Sequence, residues 1–167
     1  ASDLFAIQRP DAFRRLMRLV AGQAGSLVNH AEWAALLGVS RTTVGAYLET
    51  LEGAHVLYTL RPFAGGRRAE LTSRPKVFYV DSGLRNSLVG DLGPWARRTD
   101  RGAVLETWVL TELLKHAPAD ATLHFWRSRS GAEVDFVCVH PTGLTGIEVK
   151  ASALARPKVP RSARSFI

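Results

Sequence analysis

Cysteine is almost missing from this chain: Cys138 is the single one in 167 residues. An internal disulfide is therefore excluded, and one thiol alone cannot build a structural zinc site. Cys138 lies in a β-branched run, so it reads as a buried, inert thiol in a reducing, cytoplasmic setting. Also absent is any apolar run near the roughly 20 residues that span a bilayer. The first seven residues show no basic segment followed by an apolar block, so no secretory leader is read there. No Gly-x-x-x-x-Gly-Lys-Ser/Thr occurs, and Gly65-Gly66-Arg67-Arg68 lacks both the spacing and the lysine. ATP binding through a P-loop is accordingly not expected. Acidic residues are in short supply: 15 Asp and Glu against 22 Lys and Arg give a net charge of +7. That balance favours polyanionic partners. Four of those charges, Arg156, Lys158, Arg161 and Arg164, lie in an acid-free stretch from Ala151 to Ile167, which reads as a basic flexible tail. Removing these four from seven leaves a modest +3 for the rest.

What is present suits a soluble globular protein of one domain or two small ones, with 46% hydrophobic residues. Pro10 opens a helix over Asp11–Gly22, striped with Phe13, Leu16, Met17, Leu19 and Val20. A second helix is predicted over His30–Leu37, with Trp33, Leu36 and Leu37 inward. Gly38-Val39-Ser40 then makes a turn, and Ser40 caps a third helix over Arg41–Gly53 carrying Val44, Tyr47, Leu48 and Leu51. Short helix, glycine-bearing turn and serine-capped helix form a helix-turn-helix signature. Strands at Val56–Leu60 and Val77–Val80, flanking a basic loop at 64–69, complete a winged helix over residues 1–82. If this module grips DNA, Arg41, Thr42 and Thr43 reach base edges and Arg67 and Arg68 reach phosphates. Glu49 and Glu52 on the same third helix oppose that use, and winged helices also dock proteins.

Residues 83–101 read as a connector with one short helix, Gly83–Val89, because turn formers and charges replace periodic apolar residues. A further helix follows over Gly102–Lys115, with Leu105, Trp108, Val109 and Leu113 at helical spacing and Glu106 among them. Three strands are predicted next, Leu123–Arg127, Val134–Val139 and Leu144–Val149, the last two joined by a turn at Pro141 and Gly143. Period two puts Glu133 and Asp135 on one face, with Val134 and Phe136 on the other, and puts Glu148 and Lys150 together. Asp135 and Glu148 then converge beside Lys150, and Glu106 is a third carboxylate from the helix. Carboxylate oxygens so placed suit Mg²⁺ or Mn²⁺, which polarise a phosphoryl oxygen and acidify a bound water. From spacing alone a solvated strand edge, with Lys150 paired to Glu133 or Glu148, explains these residues as well. His124 could serve as a ligand, though a lone strand histidine is more often structural. Arg127 could contact phosphate or simply face solvent.

The ordered set Glu106, Asp135 and Glu148-Val149-Lys150 resembles the PD-(D/E)XK nuclease superfamily. A longer pattern covers nearly the whole chain: Gly38-Val39-Ser40, the run from Pro75 through Asp81 to Leu84, Leu105-Glu106, Glu133 to Val137 and Ile147 to Lys150. It resembles the uncharacterised C-terminal domain that follows an AAA-type ATPase domain in many prokaryotic proteins. That resemblance implies an α+β or α/β fold, with a winged helix-turn-helix joined to a restriction-endonuclease-like mixed sheet and flanking helix over residues 102–152. It implies Glu106, Asp135, Glu148 and Lys150 as catalytic residues, Asp135 and Glu148 as ligands of Mg²⁺ or Mn²⁺, and DNA as partner. It further implies an ATPase domain in the parent chain, with self-assembly through that ATPase, and either metal-dependent DNA hydrolysis or an inert interaction module that regulates the ATPase. Pro157, Pro160 and Ser162 disfavour the helix that normally follows Glu-x-Lys, so either the nuclease-like domain is cut short or its end has decayed.

Overall fold

The protein is described by a computed structural model covering residues 7, 9–63, 74–128, 131–152 and 166. The expected wing loop with Arg67 and Arg68, and residues 153–165 and 167 of the basic tail, lie outside these residues. The architecture is mixed α+β. Helices α1 (Pro10–Gly22), α2 (His30–Leu37) and α3 (Arg41–Gly53) come first, followed by strands β1 (Leu57–Pro62) and β2 (Lys76–Tyr79). Helices α4 (Ser82–Val89) and α5 (Arg101–His116) follow, then β3 (Thr122–Arg127), β4 (Glu133–His140) and β5 (Gly143–Ile147). One sheet holds the five strands in the order β2-β1-β3-β4-β5, antiparallel except for the parallel β1–β3 pair.

Local chemistry explains where the N-terminal helices begin. The Asn29 side chain accepts from Glu32 N at 3.3 Å while its amide donates to the Glu32 carboxylate at 2.9 Å, which satisfies a free donor at the start of α2. Ser40 Oγ accepts from Thr43 N at 3.0 Å and so starts α3. Between α2 and α3, Gly38 takes a left-handed conformation that ends α2. The apolar stripes of the three helices, including Leu16, Val20, Trp33, Val44 and Leu51, close on one another and on Leu57, Val77 and Tyr79. Leu36, expected inward, is instead half exposed, because an eight-residue helix presents only one narrow stripe and Trp33 and Leu37 occupy it.

Strand β2 has no solvent face. Val77 and Tyr79 enter the helical core, whereas Phe78 enters a second core with Leu60, Leu110 of α5, Phe125 and Phe136. All four residues of β2 are buried, which explains its unbroken apolar run after Lys76. The hairpin expected as a wing thus supplies two strands to the same sheet as β3, β4 and β5. On α5 the buried positions are Thr107, Leu110 and Thr111, and Trp108, expected on the inner stripe, is about half exposed. Leu110 faces the sheet, and that rotation carries Glu106, four residues earlier, onto the same side.

Residues 83–101 are not a slack linker. Arg85 on α4 is 1% exposed and Arg98 5%. Arg85 donates to Ala21 O of α1 at 2.9 Å and pairs with Asp100. Arg98 holds both Asp100 oxygens at 2.9 Å and also reaches Asn86 Oδ1 at 3.0 Å. Two buried guanidinium groups therefore share one carboxylate at the start of α5, tying α1, α4 and α5 together. Burial alone would raise the Asp100 carboxyl, but the hydrogen bonds from Arg98 and Arg85 outweigh it and hold it at about 2.

Removing one member of a buried ionic group leaves its partners uncompensated, so Asp100→Asn should destabilise the fold by about 3–5 kcal/mol in urea unfolding at pH 7. The depressed carboxyl contributes stability that is complete above the ordinary value of 3.8 and is lost as pH falls toward about 2. The gap between wild type and Asp100→Asn should accordingly narrow over that interval by about 2 kcal/mol.

Candidate carboxylate site

Strand pairing decides which side chains of β4 meet α5. His124 lies opposite Val137, but two residues further on Trp126 lies opposite Val134. β4 therefore spends three residues where β3 spends two, a bulge with one extra residue in the Asp135–Phe136 stretch. Strict alternation predicts Asp135 and Phe136 on opposite faces. The bulge turns both toward α5: Phe136 packs with Leu110, and the Asp135 carboxylate lies within the field of Glu106. Val134 goes to the other face, against Gly146.

The last strand also ends sooner than expected. β5 stops at Ile147, opposite Phe136, and residues 148–150 leave the ladder. The reason is that Asp135 Oδ2 accepts from Val149 N at 2.8 Å, so a side chain replaces the next ladder carbonyl. Val149 packs into the core beneath α5, Glu148 is mostly buried, and Lys150 stays half exposed with its ammonium on Glu148 Oε1. Of the two partners open to Lys150, the structure selects Glu148 rather than Glu133.

Glu133 belongs to a different cation. Lys76, the first residue of β2, is 4% exposed and forms an ion pair with Glu133 Oε1. Arg127 Nη1 stands 3.5 Å from Glu133 Oε2. Four carboxylates and two lysines thus share one region beneath α5. A fifth element borders it: Gly25, between α1 and α2, has φ +80°, and a Cβ there would stand 2.9 Å from Glu106 Oε2. Only a residue without a side chain lets this backbone lie against the carboxylate.

The charges act on one another. Burial, then Asp135 and Glu133, push the Glu106 carboxyl up to about 7, against the opposing pull of Lys76 and Lys150. Asp135 is also raised, chiefly by burial and then by Glu148, against its Val149 hydrogen bond and the two lysines. Lys150 is held above its ordinary range by the hydrogen bond to Glu148. Glu148 Oε2 is buried without a hydrogen-bond partner.

This donor chemistry suits a hard divalent ion bound through Asp135 and Glu148, with waters completing its shell. The unmatched Glu148 oxygen is the observation that fits such an ion. Among the described residues, no group of three or more His, Cys, Asp and Glu side chains is arranged to hold a metal ion by itself. His124 hydrogen-bonds Thr122 Oγ1 through Nε2 at 3.0 Å and packs edge-on against Phe63, while its Nδ1 is buried without a hydrogen-bond partner.

Arg41 and Thr42 are exposed at the start of α3. Thr43 is half-buried, with its hydroxyl 2.8 Å from Ser40 Oγ in the cap. Glu52 accepts from Thr59 at 3.0 Å and is thereby drawn to β1. Arg67 and Arg68 lie outside the described residues. Lys76 is the member of the site that pattern reading missed. Its signal in the sequence is a lysine opening an otherwise apolar strand, since a strand buried on both faces admits a charge only beside a partner.

Residues 1–94 match the family described as "Domain of unknown function (DUF8612)", and residues 101–167 match "Domain of unknown function (DUF4143)". An uncharacterised protein of Mycobacterium tuberculosis and one of Mycobacterium bovis are each 32% identical over 156 residues. The match covers 92% of this chain and 35% of each relative, so the chain spans about a third of their length. No solved structure matches. No helix among the described residues is long and apolar enough to cross a membrane.

A carboxyl raised by folding binds its proton more tightly in the native state, so its contribution is complete below the ordinary value of 4.5 and is lost as pH rises through about 7. Glu106→Gln removes that loss. The variant should match wild type near pH 4.5 and exceed it by about 3 kcal/mol at pH 8, since a tenfold change in proton affinity is worth about 1.4 kcal/mol. Paired urea titrations at the two pH values check the sign.

Proposed function

From the premise that the chain belongs to the family described as Domain of unknown function DUF8612, we propose that it is a DNA-associated, nuclease-like module. In this reading α1–α3 with the β1–β2 hairpin form a winged helix, and α5 with β3–β5 form the core of a PD-(D/E)XK nuclease-like fold. Its carboxylate site takes one Mg²⁺ or Mn²⁺ for phosphodiester hydrolysis. The observation that carries the proposal is the buried Glu148 oxygen without a partner, beside an Asp135 that is itself raised and that raises Glu106. A buried carboxylate oxygen left unpaired is costly, and a bound cation is the direct remedy.

Asp135 and Glu148 would hold the ion, which would supply Lewis acidity and an acidified water. The chain's own residues have separate tasks. Val149 N fixes the Asp135 carboxylate through its hydrogen bond, and Lys150 orients Glu148 while keeping its ammonium at the solvent edge, where a phosphate would approach. Near pH 7 Glu106 is poised to take or return a proton. Arg41 and Thr42 are exposed and free to meet a duplex, and in this reading Arg67 and Arg68 would supply phosphate contacts. The resemblance to modules that follow AAA-type ATPase domains, with the greater length of the mycobacterial relatives, supports an ATPase domain in the parent protein, through which it would self-assemble in the cytoplasm.

A second reading has its own support. Lys150 is already paired with Glu148, and no three-ligand cluster occurs among the described residues. Under it, the same fold is a catalytically inert module that contacts DNA or protein and regulates the ATPase.

Thermal shift with Mn²⁺ on wild type and Asp135→Ala separates the two. A ligand selective for the native fold at 100 times its dissociation constant adds about 2.7 kcal/mol. The nuclease reading expects that gain in wild type, its loss in Asp135→Ala, and Mn²⁺-dependent DNA cleavage abolished by Lys150→Ala. An Mn²⁺-indifferent wild type that cleaves no DNA supports the inert module.

A further inference from the structure

Lys76 is not explained by the nuclease reading. A lysine only 4% exposed is expensive unless something requires its charge, and this one lies inside a strand that folding holds from two sides. β1 pairs with β2 along one edge, and Leu27 bridges to Lys76 along the other. Val28 N donates to Pro75 O at 2.8 Å and Gly25 N to Val77 O at 3.0 Å, so the residues around Lys76 are pinned. Its ammonium sits 5.3 Å from the centre of the Phe125 ring and pairs with Glu133. Its charge reaches Glu106 and Asp135 as well.

We propose that the Lys76 ammonium is the resident cation on the Glu133 side of the carboxylate site, standing where a second divalent ion would need to bind and leaving Asp135 and Glu148 to take one ion. This rests on the divalent-ion reading of Asp135 and Glu148. Two-metal phosphodiester sites hold their ions about 3.5–4 Å apart between shared carboxylates. Here a compact, fixed point charge already compensates Glu133, with Arg127 on its other oxygen. A carboxylate so paired has little left to offer a metal. Lys76 is a positioning residue: it fixes the number of metal ions rather than touching a substrate. The site is also shared across the chain, since the residues matched to one family supply the lysine and those matched to the other supply the carboxylates.

The test counts Mn²⁺ ions bound per chain on the full protein, by the loss of the free-ion electron paramagnetic resonance signal. Wild type and Lys76→Arg should bind one ion, Lys76→Met two, and the double variant Lys76→Met/Glu133→Gln one again. The same count in Lys76→Met as in wild type overturns the proposal, and so does a count of two that survives in the double variant. If wild type binds none while Lys76→Met binds one through Glu133, the role of Lys76 stands and the reading of Asp135 and Glu148 as a metal site falls. Where Lys76→Met is unfolded without metal, the expected result is recovery of its helical circular dichroism on adding Mn²⁺. No recovery overturns the proposal.

Discussion

Val77 and Tyr79 close the helical core while Lys76 and Phe78, alternating with them along the same short strand, enter the core beneath α5. That double burial is the constraint on which the other contacts depend. A strand covered on both faces must satisfy its backbone within the sheet, and β2 does so through β1 on one side and the Leu27 bridge on the other. β1 in turn passes the ladder on to β3 through the parallel pairing of Arg61 with His124. The helical layer and strands β3–β5 are joined by continuous hydrogen bonding as well as by surface contact.

The same geometry assembles the carboxylate site from distant parts of the chain. Glu106 arrives on a helix whose rotation is set by Leu110, and Asp135 is re-aimed by an extra residue in β4. Glu148 stands just past the point where β5 leaves the ladder, and Glu133 is met by Lys76 from the far side of the sheet order. Partly withdrawn from water, these groups influence one another. That explains a glutamate near neutrality, a raised aspartate and an oxygen without a partner within one small region.

The stretch between the two family matches, residues 95–100, contains Arg98 and Asp100. Where sequence similarity changes from one family to the other, the structure places one of its most buried charge networks. Asp100 stands before α5 and accepts from Arg85 of α4, which also donates to α1. The position of α5, and with it of Glu106, is therefore set partly by a carboxylate six residues upstream that takes no part in the site's chemistry.

Much of this was readable from local chemistry. Asn29 and Ser40 mark the starts of α2 and α3 because their side chains cap free backbone donors, a matter of three neighbouring residues. Periodicity found each of the strands within two residues at either end, and Glu106, Asp135, Glu148 and Lys150, which it picked out, come together in one region. It could not orient Asp135 and Phe136, because a bulge appears only when β4 is laid against β3. Nor could it tell that Lys150 prefers Glu148, that Lys76 joins Glu133, or that Trp108 faces outward, since each depends on which elements meet. By itself the sequence determined the elements, their caps and the residue types at hand for chemistry, because these follow from interactions between near neighbours in the chain. Only the tertiary structure decided which charges face one another, because burial and partnership are properties of the surfaces that packing brings together.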